Sequence, residues 1–122
     1  MKLNADCVRQ VMLTIESFGL TDPANTLTIF DKLPDFSEED VIYACYKLKE
    51  SSLINFVKTP VIGWPYGSYQ QFKNAELTAQ GHDFLTQIAN DTVWNRIKQK
   101  LKQFASISIP IIIEAATSTV LK

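Results

Sequence analysis

The stretch SEEDVIYACYKLKESSLI, residues 37–54, decides the fold. Ser37 precedes three acidic residues, which is typical of a helix start, because a serine oxygen accepts a free N–H and carboxylates favour the positive helix end. Apolar residues then recur at helical spacing, at Val41, Ala44, Cys45 and Leu48. The pattern predicts a helix from Ser37 to about Glu50 that runs directly into a β-strand.

A β-hairpin is predicted after this helix. Its first strand is Leu53–Val57, a loop at residues 62–68 holds two glycines and a proline, and Tyr69–Leu77 returns as the antiparallel partner. The sequence therefore predicts a hairpin with a long tip.

The flanking segments complete the order of elements. In ELTAQGHDFL, residues 76–85, Thr78 caps a helix that follows the second strand. Upstream, Asn4 opens a first helix, and Gly19 sits where a left-handed C-terminal residue belongs. Thr26–Phe30 is either a short strand or an irregular entry to a short helix. This is the order of a winged helix-turn-helix domain. Winged-helix proteins often have glycine where Ser52 stands, so we expect Ser52 to adopt a left-handed backbone conformation.

Two further helices are predicted beyond residue 90. Asp91 caps a helix that continues to Phe104, and Ser108 restarts the chain before a proline, which is tolerated in a first helical turn. The expected class is α+β and mostly α-helical. It comprises a winged helix-turn-helix domain with a two-stranded wing at residues 1–90 and a C-terminal helical extension at residues 91–122.

Composition indicates a globular protein with an uneven charge distribution. The chain has 122 residues, 46% of them hydrophobic and 20% charged, which suffices for one core. Residues 1–92 carry a net charge of −5 and residues 93–122 a net charge of +4. The start shows no apolar run that would suggest a secretory signal, and Cys7 and Cys45 are expected to be buried free thiols. We therefore expect a cytoplasmic protein.

Three segments together resemble a family of small bacterial and prophage-borne proteins of unknown function. They are MKLNADCVRQ at the start, SEEDVIYACYKLKESSLI in the middle and LTAQGHDFLTQIANDTVWNRIK after the hairpin. The resemblance covers most of residues 1–104. It implies a winged-helix fold and often a mobile-element setting, and it brings no catalytic residues to carry over.

The residues that could support catalysis or metal binding have simpler explanations. His82 is the only histidine, and neither it nor the two cysteines lie in CxxC or HxxxH spacing. The acids at residues 38–40 complement a helix N-terminus. Gly63 and Gly67 are not followed by the Gly-Lys-Ser/Thr of a phosphate loop. We expect no enzyme activity, no cofactor and no metal.

A partner-binding face is predicted on the capped helix and the hairpin tip. Aromatic side chains anchor many protein interfaces. The predicted face consists of Glu39, Tyr43, Tyr46, Lys47, Glu50, Trp64 and Tyr66, and Tyr69 adds a further aromatic ring beside the wing. Alternatively, Tyr43 or Tyr46 packs internally and Trp64 folds back over the hairpin. The acidic start of the helix suits a protein better than DNA, because DNA affinity depends on cations that neutralise phosphates.

The basic helix offers the alternative partner, DNA. Its candidate nucleic-acid contacts are Arg96, Lys98, Lys100 and Lys102. Three interpretations remain open for this helix: a solvated cationic helix on the acidic body, a nonspecific nucleic-acid contact, or a membrane-surface helix. The first is the usual outcome for such a charge run, and a membrane is not expected as a partner.

The apolar tail at residues 107–121 is expected to mediate self-association. It is too interrupted by polar residues to span a membrane. A last helix would place five apolar residues on one face, Ile109, Ile112, Ile113, Ala116 and Val120. That face pairs with a second copy in a homo-oligomer or docks on the protein's own core. We expect a self-associating, non-enzymatic binding module whose partner is a protein, with a DNA-binding transcriptional regulator as the alternative.

Overall fold

The computed structural model describes residues 1–120, so Leu121, in the predicted tail, lies outside the described residues. Within that range the chain forms six α-helices and one two-stranded antiparallel sheet. The elements are α1 (Ala5–Ser17), α2 (Thr26–Lys32), α3 (Glu38–Glu50), β1 (Ile54–Lys58), β2 (Phe72–Leu77), α4 (Ala79–Ile88), α5 (Asp91–Leu101) and α6 (Ile109–Val120). The protein is a mostly helical α+β fold, and the order of its elements is compatible with a winged-helix layout.

Helix α3 and its junction with β1 confirm the prediction. The Ser37 side chain accepts the Asp40 N–H at 3.0 Å, and the helix ends at Glu50. Ser52 has a φ of 62°, and the following Leu53 N–H donates to the Leu48 carbonyl at 3.0 Å. This is a Schellman-type ending, in which a left-handed residue turns the chain sharply out of the helix. The hairpin therefore starts at a fixed angle to α3.

The hairpin contains a β-bulge. Asn74 and Ala75 on β2 lie opposite the single residue Phe56 on β1, and Asn74 has a φ of 57°. An asparagine adopts this left-handed conformation more readily than most residues. The Ala75 N–H donates to the carbonyl of Ala24 at 2.9 Å, outside the two-stranded sheet. The bulge thus attaches the hairpin to the segment before α2.

The segment at residues 26–30 is helical, so the alternative of a strand was wrong. Asn25 caps α2 and forms a reciprocal capping box with Thr28. Thr26, the first residue of α2, is buried, and its hydroxyl accepts the Phe72 N–H at 2.8 Å. The Thr26 side chain and the Ala24 carbonyl therefore provide the hydrogen bonds that a third strand would have made with β2. A helix forms here because the capping box of Asn25 and Thr28 provides hydrogen bonds for the free backbone N–H groups at its start.

Two predicted helix ends were also wrong in detail. Gly19 is outside the left-handed region, and its N–H donates to the Asp22 carboxylate at 2.7 Å, so a side chain completes that turn. Asn90, rather than Asp91, caps α5, and its side chain accepts the Val93 N–H at 3.0 Å. Asp91 instead receives a hydrogen bond from Arg9, a long-range contact that local sequence does not reveal.

The stretch that contains His82 is architectural. Thr78 caps α4, its hydroxyl donates to the Ser52 carbonyl at 2.7 Å, and its N–H donates to the Leu53 carbonyl at 3.0 Å. Gly81 then passes so close to this strand start that a Cβ there would overlap the Leu53 carbonyl oxygen. His82 lies on the exposed side of the same helix. The motif joins α4 to the α3–β1 junction.

One core runs through the whole described chain. It includes Cys7 and Cys45, which confirms that these thiols are buried and free. It also includes Trp94 and Ile97 of α5 together with Ile112 of α6. The boundary expected at residue 90 coincides with the turn between α4 and α5, and the apolar packing continues across it. The C-terminal helices are therefore part of the same core.

The apolar face of α6 packs on the protein's own core. Ile109, Ile112 and Ala116 are fully or nearly fully buried within the single chain, and α6 contacts α5 and α4. Ile113 is half-buried, and Val120 is exposed. The face expected to bind a second copy is therefore already covered, because burial against α4 and α5 removes the same apolar surface from water. Self-association itself stays a prediction, and the half-buried Ile113 and the exposed Val120 are the members of this face that remain accessible for it.

Candidate partner-binding surface

A long loop at residues 59–71, here called the hairpin loop, folds back over the helices. It has no charged side chain. The indole of Trp64 stacks on Phe30 of α2 with ring centroids 6.5 Å apart and planes 6° apart, and its Nε1–H donates to the Tyr69 carbonyl at 2.6 Å. Gly63 and Gly67 have φ values of 83° and 60°, which lets the loop reverse direction twice. The loop is therefore a folded structure.

The hairpin loop is attached to the start of α3 by Tyr66. Its hydroxyl donates to the Glu38 carboxylate at 2.6 Å, and its ring meets Trp64 edge-to-face at 5.1 Å. The hydrogen bond to Glu38 raises the pKa of Tyr66 above its usual value of 10.0. Trp64 and Tyr66 thus lie together beside α2 and the first turn of α3.

Tyr46 is mainly a packing residue. It is half-buried, it contacts Phe56, Phe72 and Tyr69 edge-to-face, and its hydroxyl donates to the Gln70 carbonyl at 2.8 Å. Burial raises the pKa of its hydroxyl. Internal packing was the stated alternative for this residue. Tyr46 holds the base of the hairpin loop against α3.

The remaining predicted face residues surround a second cluster. Tyr43 meets Tyr69 edge-to-face at 6.0 Å, and the Lys47 ammonium lies 5.4 Å from the Tyr43 ring. Lys47 also pairs with Glu50 at 3.1 Å, and this hydrogen bond raises the lysine pKa. Glu39 and Glu50 are exposed. The charge of Lys47 is therefore largely balanced.

The structure brings the predicted aromatic residues into two neighbouring groups and adds residues that were not predicted. Phe30 and Glu38 join Trp64 and Tyr66, whereas Tyr69 bridges Tyr43 and Tyr46. Phe30 was assigned to a strand or irregular segment and Glu38 to the helix cap, whereas Tyr69 belonged to the predicted aromatic set beside the wing. The one usable signal was the density of aromatic residues at positions 64–69.

The cations of α5 are spread around that helix. Its buried stripe is Trp94, Ile97 and Leu101. At about 100° per residue, Arg96 and Lys100 lie on one side of this stripe and Lys98 and Lys102 on the other. Lys98 pairs with Asp6 at 3.2 Å, and Lys100 donates to the Ser118 hydroxyl at 2.9 Å. The four cations therefore do not form a single row that could follow a phosphate backbone.

The two cysteines are buried in the core. Burial raises the pKa of Cys7 to about 12 and that of Cys45 further, so both thiols stay protonated at neutral pH. Within residues 1–120 there is no group of three or more histidine, cysteine, aspartate or glutamate residues placed to hold a metal ion. In the same part of the chain, no helix is long and apolar enough to cross a membrane.

Comparison with known proteins places the chain in a family. The family model of the hypothetical proteins DUF2513 matches residues 2–108. The chain belongs to this family. An uncharacterized protein of Haemophilus influenzae is 33% identical over 104 residues, which are 84% of this chain and 80% of the relative. The resemblance drawn from sequence to a small family of unknown function is thereby confirmed. No solved structure matches the chain.

Proposed function

We propose that this DUF2513 member is a non-enzymatic winged-helix module that binds another protein through α3 and the hairpin loop. The observation that carries the proposal lies at the start of α3. That helix end begins with Glu38, Glu39 and Asp40, and the hairpin loop is attached to it by the bond from Tyr66 to Glu38. In DNA-binding winged helices the same end meets base edges.

The layout supports the winged-helix part of the proposal. Helices α1, α2 and α3 precede the hairpin and α4 follows it, in the order of that domain. Thr26 and Ala24 take the place of the third strand that would pair with β2. The hairpin then corresponds to the wing, and α3 to the recognition helix.

Electrostatics favours a protein partner. A duplex presents about one negative charge per 1.7 Å of axis, and binding requires cations that release its counterions. The first turn of α3 places three carboxylates there, and the hairpin loop contributes no cation. Aromatic rings with few charges are typical of the centre of protein interfaces. Trp64 and Tyr66 provide such rings beside the acidic turn.

The environments of the cysteine and histidine side chains support a protein that binds a partner without catalysing a reaction. Cys7 and Cys45 are buried and protonated, so neither thiol is available as a thiolate nucleophile. His82 is exposed on α4, and the adjacent Asp83 points about 100° away around the helix, so it is not placed to orient the imidazole. We therefore attribute no chemical step to these side chains.

Site-specific photo-crosslinking in the bacterial host tests the proposal. A photoreactive phenylalanine analogue replaces Ile62, which is fully exposed on the hairpin loop, or Gln103, an exposed control beyond α5. We expect a discrete protein adduct from position 62 that is absent from position 103. Equal adducts from both positions, or adducts to nucleic acid alone, would contradict the proposal.

Two positively charged regions favour the alternative function, a DNA-binding transcriptional regulator. Lys58 and Lys73 are exposed on the hairpin, and Arg96 and Lys102 are exposed at α5. In this alternative these residues supply the phosphate contacts. Charge reversal of Arg96 and Lys102 would then abolish duplex binding, whereas the protein-binding proposal predicts no duplex binding to abolish.

Self-association belongs to the proposal as a separate property. Because most of the apolar face of α6 is covered, exposed apolar residues such as Leu27, Phe104 and Val120 would have to mediate the contact between two copies. Sedimentation equilibrium of the full chain measures it directly. A mass equal to one chain of 13.8 kDa at all concentrations would rule it out.

A further inference from the structure

A cleft of about 260 Å³ lies between α2 and the start of α3. Five apolar residues and two carboxylates line it: Phe30, Asp31, Leu33, Pro34, Phe36, Glu38 and Val41. The hairpin loop adjoins the cleft, because Trp64 stacks on Phe30 and Tyr66 binds Glu38. The cleft is therefore continuous with the proposed partner-binding surface.

The charge of the cleft is negative. Asp31 is exposed, and the bond from Tyr66 uses one of about four acceptor positions on the Glu38 carboxylate. Among the residues that line the cleft within the described chain, none is basic. Lys32 lies elsewhere on α2, with its ammonium 5.5 Å from the Phe18 ring. An anion or a nucleic acid would meet uncompensated repulsion here.

The volume of the cleft and the chemistry of its lining residues further restrict the kind of ligand that it could bind. Sites for drug-sized ligands usually span roughly 300–1,000 Å³, so this cleft suits one or two side chains better than a cofactor. A long cationic side chain places its aliphatic stem on apolar surface and its charge at the rim. Arginine in addition pairs with carboxylates through two parallel hydrogen bonds and stacks on aromatic rings. Asp31, Glu38 and Phe30 offer those contacts.

We propose that this cleft binds a segment of the partner protein in which an arginine is flanked by apolar residues. The inference rests on the proposed function, since it assumes that the partner is a protein. In the bound form the guanidinium pairs with Asp31 and Glu38, and the neighbouring apolar side chains cover the exposed Pro34 and the half-buried Phe36.

An NMR titration of the full-length ¹⁵N-labelled protein tests this inference. The probes are the peptide acetyl-Gly-Leu-Arg-Leu-Gly-amide and its analogue with glutamine in place of arginine. We expect the arginine peptide to shift the amide resonances of residues 30–41 with at least about tenfold higher affinity than the glutamine peptide, because the carboxylates discriminate the charge.

Matched variants separate the cleft from general attraction to an acidic surface. Asp31→Asn with Glu38→Gln keeps the shape of the cleft and removes its charge, whereas Asp35→Asn removes an exposed carboxylate that does not line it. We expect the first pair to abolish the preference for arginine and the second change to preserve it.

Failure of the arginine cleft and failure of the proposed function would give different experimental results. Absence of shifts at residues 30–41 with millimolar peptide, equal binding of both peptides, or the same loss in Asp35→Asn would each overturn the arginine cleft. A protein adduct from position 62 in that case would leave the proposed function standing. Loss of that adduct would instead overturn the proposed function, whatever the peptides do.

Discussion

At the residue scale, the fold depends on a few side chains and on one glycine, whose lack of a side chain allows close packing. Gly81 is the clearest case, since α4 passes against the Leu53 carbonyl at this point. Arg9 is the second case, because it is buried and reaches from α1 to the end of α4. Both residues act over long sequence distances, so only the folded structure reveals their roles.

Gly81→Ala is expected to prevent stable folding. The added methyl group would overlap the Leu53 carbonyl oxygen, and neither the capped helix nor the strand start can move without losing the hydrogen bonds of Thr78. Gln80→Ala, an exposed change in the same turn, is the control. Circular dichroism with thermal melting measures both. A normal melt for Gly81→Ala would show that the junction is not tightly packed.

Arg9→Met is expected to destabilise the protein by about 2–4 kcal/mol, since charged hydrogen bonds to otherwise unpaired carbonyls are lost. The Arg9 guanidinium donates to the Ile88 carbonyl at 2.9 Å, to the Ala89 carbonyl at 2.6 Å and to Asp91 at 2.7 Å. Urea unfolding compares it with Arg96→Met at an exposed position. Equal unfolding free energies for the two variants would contradict this role.

At the element scale, the hairpin loop is held to α3 by a bond that depends on pH. The Tyr66 hydroxyl donates to Glu38 only while it is protonated, and this bond raises the tyrosine pKa above 10.0. A raised pKa means that the contact is fully present below about pH 10 and is lost as the pH rises through the higher value. Tyrosinate and the Glu38 carboxylate then repel each other.

We therefore expect Tyr66 to titrate above its ordinary pKa and Glu38→Gln to return it toward 10.0. Ultraviolet absorbance of tyrosinate, taken as the difference between wild type and Tyr66→Phe, isolates this one residue. A Tyr66 pKa at or below 10.0 in the wild type would mean that the loop is not bonded to α3 in solution.

Elements with local signals could be predicted from the sequence, and elements defined by distant contacts could not. Ser37 and Thr78 carry their caps within one turn, and Ser52 follows a regular helix, so α3, α4 and the left-handed turn were predicted correctly. Helix α2 has a local cap between Asn25 and Thr28, but the hydrogen bond between Thr26 and Phe72, 46 residues away, could not be predicted from local sequence.

The same distinction holds for the candidate site. The aromatic set of α3 and the hairpin loop was visible as composition. Its division into a Phe30–Trp64–Tyr66 group and a Tyr43–Tyr46–Tyr69 group depends on how the loop folds back. Turn residues indicate only that a loop reverses, so its docking onto α2 could not be predicted from its sequence.

At the scale of the whole molecule, the C-terminal helices are part of the core. Ile109 and Ile112 are buried between α6 and its neighbours. Fully burying an isoleucine side chain stabilises a protein by about 1.5–3 kcal/mol, and small domains have a total stability of only about 5–15 kcal/mol. The extension is thus needed by the fold, whatever else it does.

A chain that ends at Phe104 is expected to lose at least about 3 kcal/mol of stability, because both isoleucines are removed. Urea unfolding measures the loss. The matched pair Ile112→Ala, buried, and Val120→Ala, half exposed, tests the same point within the full chain. A shortened chain with unchanged unfolding would show that α6 contributes nothing to the core.

The most direct test of the central claim, that the α3 surface binds protein and not DNA, is fluorescence anisotropy of a labelled random-sequence duplex with the full-length protein. The titration is run from roughly 50 to 200 mM salt, where phosphate contacts change affinity steeply. With three carboxylates at the start of α3 and the cations of α5 divided between two sides, we predict no binding even at the lowest salt. Tight binding that weakens steeply with salt would contradict the account and favour the DNA-binding alternative.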